Sequence, residues 1–174
     1  VSFIQSTYWE YGSAVVVPET GVVWQNRGTS FSLDPAHHNV LAPGKRPFHT
    51  LIPALAHLED GRVMAYGNMG GEGQPQSQAA VFTRHVMFGT PMQEAISAPR
   101  WLLGRTWGDD TTSLKLESRF DSALVEKLMT AGHNVEMMDP YTSTMGHAGA
   151  VSVSLSGGFE GACDPRSDGA AVAL

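Results

Sequence analysis

Apolar residues along this chain fall into short runs separated by glycine and proline, the pattern of many strands joined by tight turns, with few helices. Val1–Thr7 (VSFIQST) reads as a strand already in progress. Ser13–Val17 and Gly21–Gln25 are β-branched runs flanking Pro18-Glu19-Thr20, a hairpin whose proline cannot sit inside a ladder. Asn26–Pro47 carries Gly28, Pro35, Pro43, Gly44 and Pro47 with no sustained period, so a long ordered loop is expected, and such loops are often functional. Phe48–Leu58 is dominated by apolar residues, and Glu59-Asp60-Gly61 turns it back into Arg62–Tyr66 as a second hairpin.

After the glycine loop Gly67–Gly73, Gln74–Phe88 spaces Ala79, Ala80, Val81, Phe82, Val86 and Met87 over a broad helical face. A second helix, Met92–Ser97, follows Thr90-Pro91, with threonine as N-cap and proline at the first helical position. Ser113–Glu117 alternates as a half-buried strand. Asp121–Ala131 is an amphipathic helix with Gly132 as its left-handed terminator. Val135–Met138, Ala150–Leu155 and Phe159–Cys163 complete about seven or eight strands and three helices, an α+β layered sandwich rather than alternating β-α units.

Composition narrows the classes. With 174 residues, 42% hydrophobic, 9% aromatic and 16% charged, the chain is apolar enough to fold as one domain, and no run approaches a membrane span. A net charge of −6 with scattered Lys and Arg excludes a basic stripe for nucleic acid. The lone Cys163 excludes an internal disulfide and a cysteine zinc site, and leaves the compartment open, with the cytoplasm favoured over the periplasm. No cofactor or metal is expected. A first residue Val1, with no turn or cap ahead of the first strand, reads as a piece of a longer polypeptide.

Three segments hold candidate chemistry. Gly67-Asn68-Met69-Gly70-Gly71-Glu72-Gly73 lacks the spacing of a phosphate or dinucleotide loop, which leaves a tight strand-to-helix turn or an oxyanion hole of adjacent glycine N–H groups. Lys45-Arg46-Pro47-Phe48-His49-Thr50 brings two cations and a hydroxyl to the head of a buried strand, where His49 and Thr50 need hydrogen-bond partners whether or not a substrate supplies them. In Cys163-Asp164-Pro165-Arg166-Ser167-Asp168-Gly169-Ala170, Arg166 is expected to lock the loop by pairing with Asp164 and Asp168. His37-His38 lacks metal-site spacing and Asp109-Asp110 reads as solvated.

Six segments in order resemble the catalytic small subunit of the γ-glutamyltransferase family: GKRPFHTLIPAL (Gly44–Leu55), GNMGG (Gly67–Gly71), EAISAPRW (Glu94–Trp101), AGHNV (Ala131–Val135), HAGAVSV (His147–Val153) and DPRSDGAA (Asp164–Ala171). The resemblance covers nearly the whole of residues 1–174 and implies an N-terminal-nucleophile hydrolase, a four-layer αββα sandwich. It implies a precursor that cuts itself to free an N-terminal threonine, which lies upstream of Val1 in this reading. The threonine hydroxyl attacks an amide carbonyl and its own amine serves as base. Gly70 and Gly71 take the places of the oxyanion donors, and Ser6 that of a hydroxyl beside the nucleophile.

Where the family presents an Asn, a Gln-x-x-Asp and a Ser-Ser pair to a glutamyl group, this chain has Tyr8, Arg27 with Ser30, and His49-Thr50. A carboxylate has become a neutral serine and an amide a cation, so the site for an α-amino group is expected to be lost. The resemblance then implies the amidohydrolase and acylase branch, oxamate amidohydrolases first, cleaving a small anionic amide held by Arg27 and His49. Its partners are a large subunit from the same precursor and the amide substrate, with a dimer of heterodimers possible in this family. Two alternatives stand beside it: γ-glutamyl transfer or glutathione hydrolysis, and a non-catalytic assembly module of the same fold.

Overall fold

The structure is a computed structural model that describes residues 1–106, 108 and 110–172. The chain divides into two units, Phe3–Leu51 and Ile52–Leu174, the latter taking in Val1–Ser2.

Phe3–Leu51 holds the expected hairpin, β1 (Val16–Val17) antiparallel to β2 (Val22–Val23), closed by the backbone bond from Gly21 to Val17. A 3₁₀ turn at Arg27–Ser30 and a single bridge from Ser32 to Val40 order the long loop. Not one residue of the unit is buried, and Trp24, Leu33 and Phe48 stand exposed. Val1–Thr7 forms no strand, although its exposure alternates as in one. Among the described residues no ladder lies beside it, and Ser2 Oγ instead donates to the Tyr66 carbonyl at 3.2 Å.

In Ile52–Leu174 the larger sheet has the antiparallel order β3-β4-β8-β9, formed by Ala54–His57, Val63–Met69, His147–Val153 and Phe159–Cys163. The strand expected over Phe48–Leu58 shrinks to β3, since Pro53 cannot donate to a ladder. The Asp60-Gly61 turn forms as expected, with Leu58 N–H bonded to the Arg62 carbonyl at 2.9 Å. Register puts Met64, Ala148, Ala150 and Ala162 on one face, where they pack with Val81 of α1 (Gln74–Phe82) and with Met92 and Ile96 of α2 (Met92–Ser97). The opposite face, with Leu55, Met69, Val151 and Phe159, is open.

Two helix ends differ from expectation. The α-helical part of Gln74–Phe88 stops at Phe82 and widens into a π turn over Thr83–Met87. Thr83 Oγ1 donates back to the Ala79 carbonyl at 2.8 Å, a β-branched hydroxyl competing with the helix ladder. Thr90 is occupied with closing that turn, its N–H bonded to the Arg84 carbonyl, so Pro91 rather than Thr90 caps α2.

The second sheet has the order β5-β6-β7, from Trp101–Leu103, Leu114–Glu117 and Val135–Met138. β6 and β7 run parallel, joined through α3 (Ser122–Thr130). Asp121 caps α3 by accepting from Leu124 N–H at 3.1 Å, and Gly132 (φ 94°) ends it. β6 is buried along its whole length, not half-buried, and it carries Lys115 and Glu117 inside with ionic partners.

Candidate active site

β4 ends at Met69, and the chain turns through Gly70 (φ 158°, ψ 29°) and Gly71 (φ 53°) into a 3₁₀ turn at Gly71–Gly73 and then α1. Both conformations favour glycine. A Cβ on Gly70 would stand 3.2 Å from the Cα of Gly146, so the two backbones are in contact. The Gly70 carbonyl accepts from Gly73 N–H at 3.0 Å and from Thr106 Oγ1 at 3.3 Å. The N–H groups of Gly70 and Gly71 find no acceptor among the described residues. Adjacent amides left open at a strand-to-helix turn are what an oxyanion hole requires.

Behind this turn lies a buried ionic network. Arg100 Nη1 donates to the carbonyls of Met145 and Gly146 at 3.1 and 2.9 Å, and Nη2 reaches Asp164 Oδ2 at 2.5 Å. Asp164 also accepts from Ala148 N–H at 2.7 Å and from Arg166. Burial pushes the Asp164 carboxyl up, but Arg100 and the N–H groups of Ala148 and Arg166 outweigh it and hold the group below the usual range. Arg166 pairs with Asp164 as expected, but its second carboxylate is Glu117, and Asp168 is exposed. Arg100, Asp164 and Arg166 thus tie β8 and the C-terminal loop to Gly146, which abuts Gly70.

Asn68, two residues before the turn, was not singled out by its chemistry. It is 2% exposed, and its side-chain nitrogen and oxygen have no partner among the described residues. The signal was available: in β4 it follows Met64 and Tyr66 at the spacing of core-facing positions, where an amide is out of place. His147, opposite Met69 in the ladder, is partly buried and its Nε2 likewise lacks a partner among the described residues. Its pKa is lowered first by burial, with Arg100 and Arg166 adding to the effect against Asp164.

The second cluster belongs to Phe3–Leu51. Arg27 Nε donates to Thr50 Oγ1 at 2.8 Å and Nη1 to the Ser6 carbonyl at 3.0 Å, while its guanidinium carbon lies 5.7 Å from the centre of the Tyr8 ring. Ser6 Oγ accepts from Tyr8 N–H at 2.9 Å. Arg27 Nη2 is buried without a partner among the described residues. Ser6, Tyr8, Arg27 and Thr50 are therefore together. His49 is not with them: it is exposed, in no strand, and its Nδ1 accepts from Leu51 N–H at 3.1 Å.

The remaining candidates form no centre. His37 and His38 are exposed with ring centres 4.2 Å apart. Asp110 is exposed, and Asp109 lies outside the described residues. Among the described residues no group of three or more His, Cys, Asp or Glu could hold a metal ion, and no helix is long and apolar enough to cross a membrane.

The Gamma-glutamyltranspeptidase family profile matches residues 1–174 from end to end. The chain belongs to that family. It is 63% identical over 172 residues to an oxamate amidohydrolase proenzyme of Klebsiella pneumoniae, covering 99% of this chain and 33% of that protein. It is 49% identical to a glutathione hydrolase-like proenzyme of Bacillus subtilis, covering 100% of this chain and 33% of that protein. A cephalosporin acylase from Bacillus halodurans superposes with a TM-score of 0.74 at 32% identity over 95% of this chain and 30% of its own. The chain thus spans about a third of the curated relatives it matches. Its α+β fold is that of the γ-glutamyltranspeptidases and acylases, the N-terminal-nucleophile hydrolase type.

Proposed function

We propose that this γ-glutamyltranspeptidase-family chain is the small-subunit part of an amidohydrolase that cleaves a small anionic amide, oxamate-like in charge and size. One observation carries the substrate class: Arg27 is anchored by Thr50 and Ser6 through two of its nitrogens, and the third is buried with no protein partner among the described residues. A guanidinium nitrogen in that state is suited to a carboxylate, which takes it in a charge-assisted bond. The oxamate amidohydrolase name of the 63%-identical relative agrees with this chemistry.

In the reaction, the hydroxyl oxygen of an N-terminal threonine bonds to the amide carbon and its proton passes to the threonine's own amine. The carbonyl π pair moves onto oxygen, where the N–H groups of Gly70 and Gly71 receive it. The C–N bond then breaks as the nitrogen takes the proton, and the amine leaves. Water, deprotonated by the same amine, repeats the attack on the ester and releases the acid. Ser6 in this reading stands beside the nucleophile.

The partner is the large subunit of the same precursor. Two features support it: the open apolar face of the four-stranded sheet suits a second β-layer, and Phe3–Leu51 buries none of its own residues.

The test uses enzyme processed from the full-length precursor. Arg27→Ala is expected to raise KM for oxamate far more than for a neutral amide of the same size. Equal rises for both substrates would sink the assignment. Release of p-nitroaniline from γ-glutamyl-p-nitroanilide faster than ammonia from oxamate would favour γ-glutamyl transfer instead.

A further inference from the structure

We infer that Thr106 is a positioning residue that aims the Gly71 N–H at the oxyanion, an inference that rests on reading Gly70 and Gly71 as the oxyanion donors. The carbonyl of Gly70 and the N–H of Gly71 belong to one planar peptide unit, and no peptide among the described residues is cis. In a trans unit the two groups point in opposite directions. Whatever holds the oxygen therefore sets where the N–H looks.

The oxygen is held twice, by Gly73 N–H at 3.0 Å and by the Thr106 hydroxyl at 3.3 Å. The first bond belongs to the turn itself and moves with it. Thr106 reaches across from the segment after β5, 36 residues away in sequence, and is 2% exposed. That segment is itself tied to the second sheet, because Gly104 N–H donates to the Ser113 carbonyl at 3.0 Å and Lys115 Nζ to the Gly104 carbonyl at 3.1 Å.

An external anchor matters here because of the glycines. The peptide between Gly70 and Gly71 has no Cβ on either side, so rotating it is far less restricted than between ordinary residues. A rotation that turned the carbonyl toward the substrate would replace a donor with an acceptor where negative charge develops. The Thr106 hydroxyl opposes that rotation, since leaving both it and the carbonyl unpaired in a buried place is costly. Thr106 touches no reacting atom and acts through the Gly70-Gly71 peptide.

The test compares Thr106→Val, which keeps shape and loses the hydroxyl, with Thr106→Ser, which keeps the hydroxyl, in enzyme processed from the full-length precursor. Thr106→Ala replaces the valine variant if that one gives no processed enzyme. Oxamate and glutaryl-p-nitroanilide are the substrates, and the one that wild type turns over faster is used throughout. Removing the hydroxyl is expected to lower kcat by ~10-fold to ~100-fold with KM unchanged, and the serine variant to restore kcat to within about twofold. Unchanged kcat without the hydroxyl, or the same loss in the serine variant, overturns the inference.

A crystal structure of the valine or alanine variant reads the same point without turnover. A Gly70-Gly71 peptide in its wild-type orientation, at full occupancy, overturns the inference. Wild-type crystals soaked with methylboronic acid, which forms a tetrahedral adduct on a nucleophilic hydroxyl, test the reading beneath it. A boronate oxygen on the two amides with unaltered variant kinetics removes the role of Thr106 alone. A boronate oxygen away from both amides removes the oxyanion assignment, and the role of Thr106 falls with it.

Discussion

Arg166 and Glu117, 49 residues apart in sequence, meet in a two-pronged ion pair, Nε to Oε1 at 2.6 Å and Nη2 to Oε2 at 2.7 Å, with both side chains wholly buried. Glu117 also accepts from Arg119 Nη2 at 2.7 Å and from the backbone N–H of Arg100 at 3.2 Å. The carboxylate joins the second sheet to the C-terminal loop, whose Asp164 in turn holds Arg100 against the carbonyl of Gly146. Charges taken this far from water persist only when paired.

Glu117→Gln keeps the shape of the side chain and removes the charge that faces Arg166 and Arg119. The expected cost is about 3–5 kcal/mol of stability, the usual range for breaking a buried pair. Thermal and urea unfolding of the processed enzyme measure it, and a loss below about 1 kcal/mol would show that the hydrogen bonds, not the charge, carry the network.

Asp164 predicts the acid limb of the stability curve. Its folded pKa lies below the ordinary carboxylate value, so the folded state binds fewer protons there than the unfolded state. The stabilisation is present above the unfolded pKa of about 3.9 and is lost as pH falls through the lower folded value. In Asp164→Asn, unfolding free energy measured across that range should fall less steeply with pH, from a lower value at neutrality. A slope equal to that of wild type would contradict this.

His147 works in the same direction at higher pH. Burial holds the imidazole's folded pKa below the ordinary histidine value of about 6.5, so its neutral form costs nothing above that value and protonation in the folded state becomes a penalty as pH falls below it. Its ring resonances in an NMR titration should show a midpoint below that of a free histidine. His147→Gln should flatten the stability profile in the same window; a midpoint at or above 6.5 would refute the assignment.

Gly146→Ala tests the contact that sets the glycine turn. Gly146 has φ 76°, and an added Cβ would fall 2.0 Å from the Met69 carbonyl oxygen, one residue before Gly70. The backbone must move, with an expected loss of about 1–3 kcal/mol from the strained conformation alone and a larger fall in kcat than Gly157→Ala produces. Gly157 has φ 84° and open space around it, so it controls for backbone strain without the clash. Equal activity in the two variants would show that Gly146 does not set the turn.

Features encoded locally were legible in the sequence. The Asp60-Gly61 hairpin, the helix expected over Asp121–Ala131 and the Gly132 terminator each depend on residues close together in sequence, and each forms, the helix over Ser122–Thr130. Features whose partner is distant were not. Lys115 and Glu117 looked like the outward positions of a half-buried strand, because alternation does not reveal that Glu136 and Arg166 wait on the other side. His49 looked like a buried polar residue in need of a partner, yet Pro53 shortens the strand and leaves it in solvent. Asp168 and Glu117 were equally good partners for Arg166 by charge, and only packing chose between them.

Two kinds of information are thereby separated. The order of the six motifs determined the family from sequence alone, because motifs read in sequence need no knowledge of how their segments pack against one another. Tertiary structure decided which groups serve the Gly70-Gly71 turn. Thr106 and Gly146 touch it, from 36 and 76 residues beyond Gly70, and Arg100, 30 residues beyond, braces Gly146 through its carbonyl. No local propensity encodes such meetings, since they arise only when burial of the sheet's core face brings distant segments together and their polar groups must then find one another.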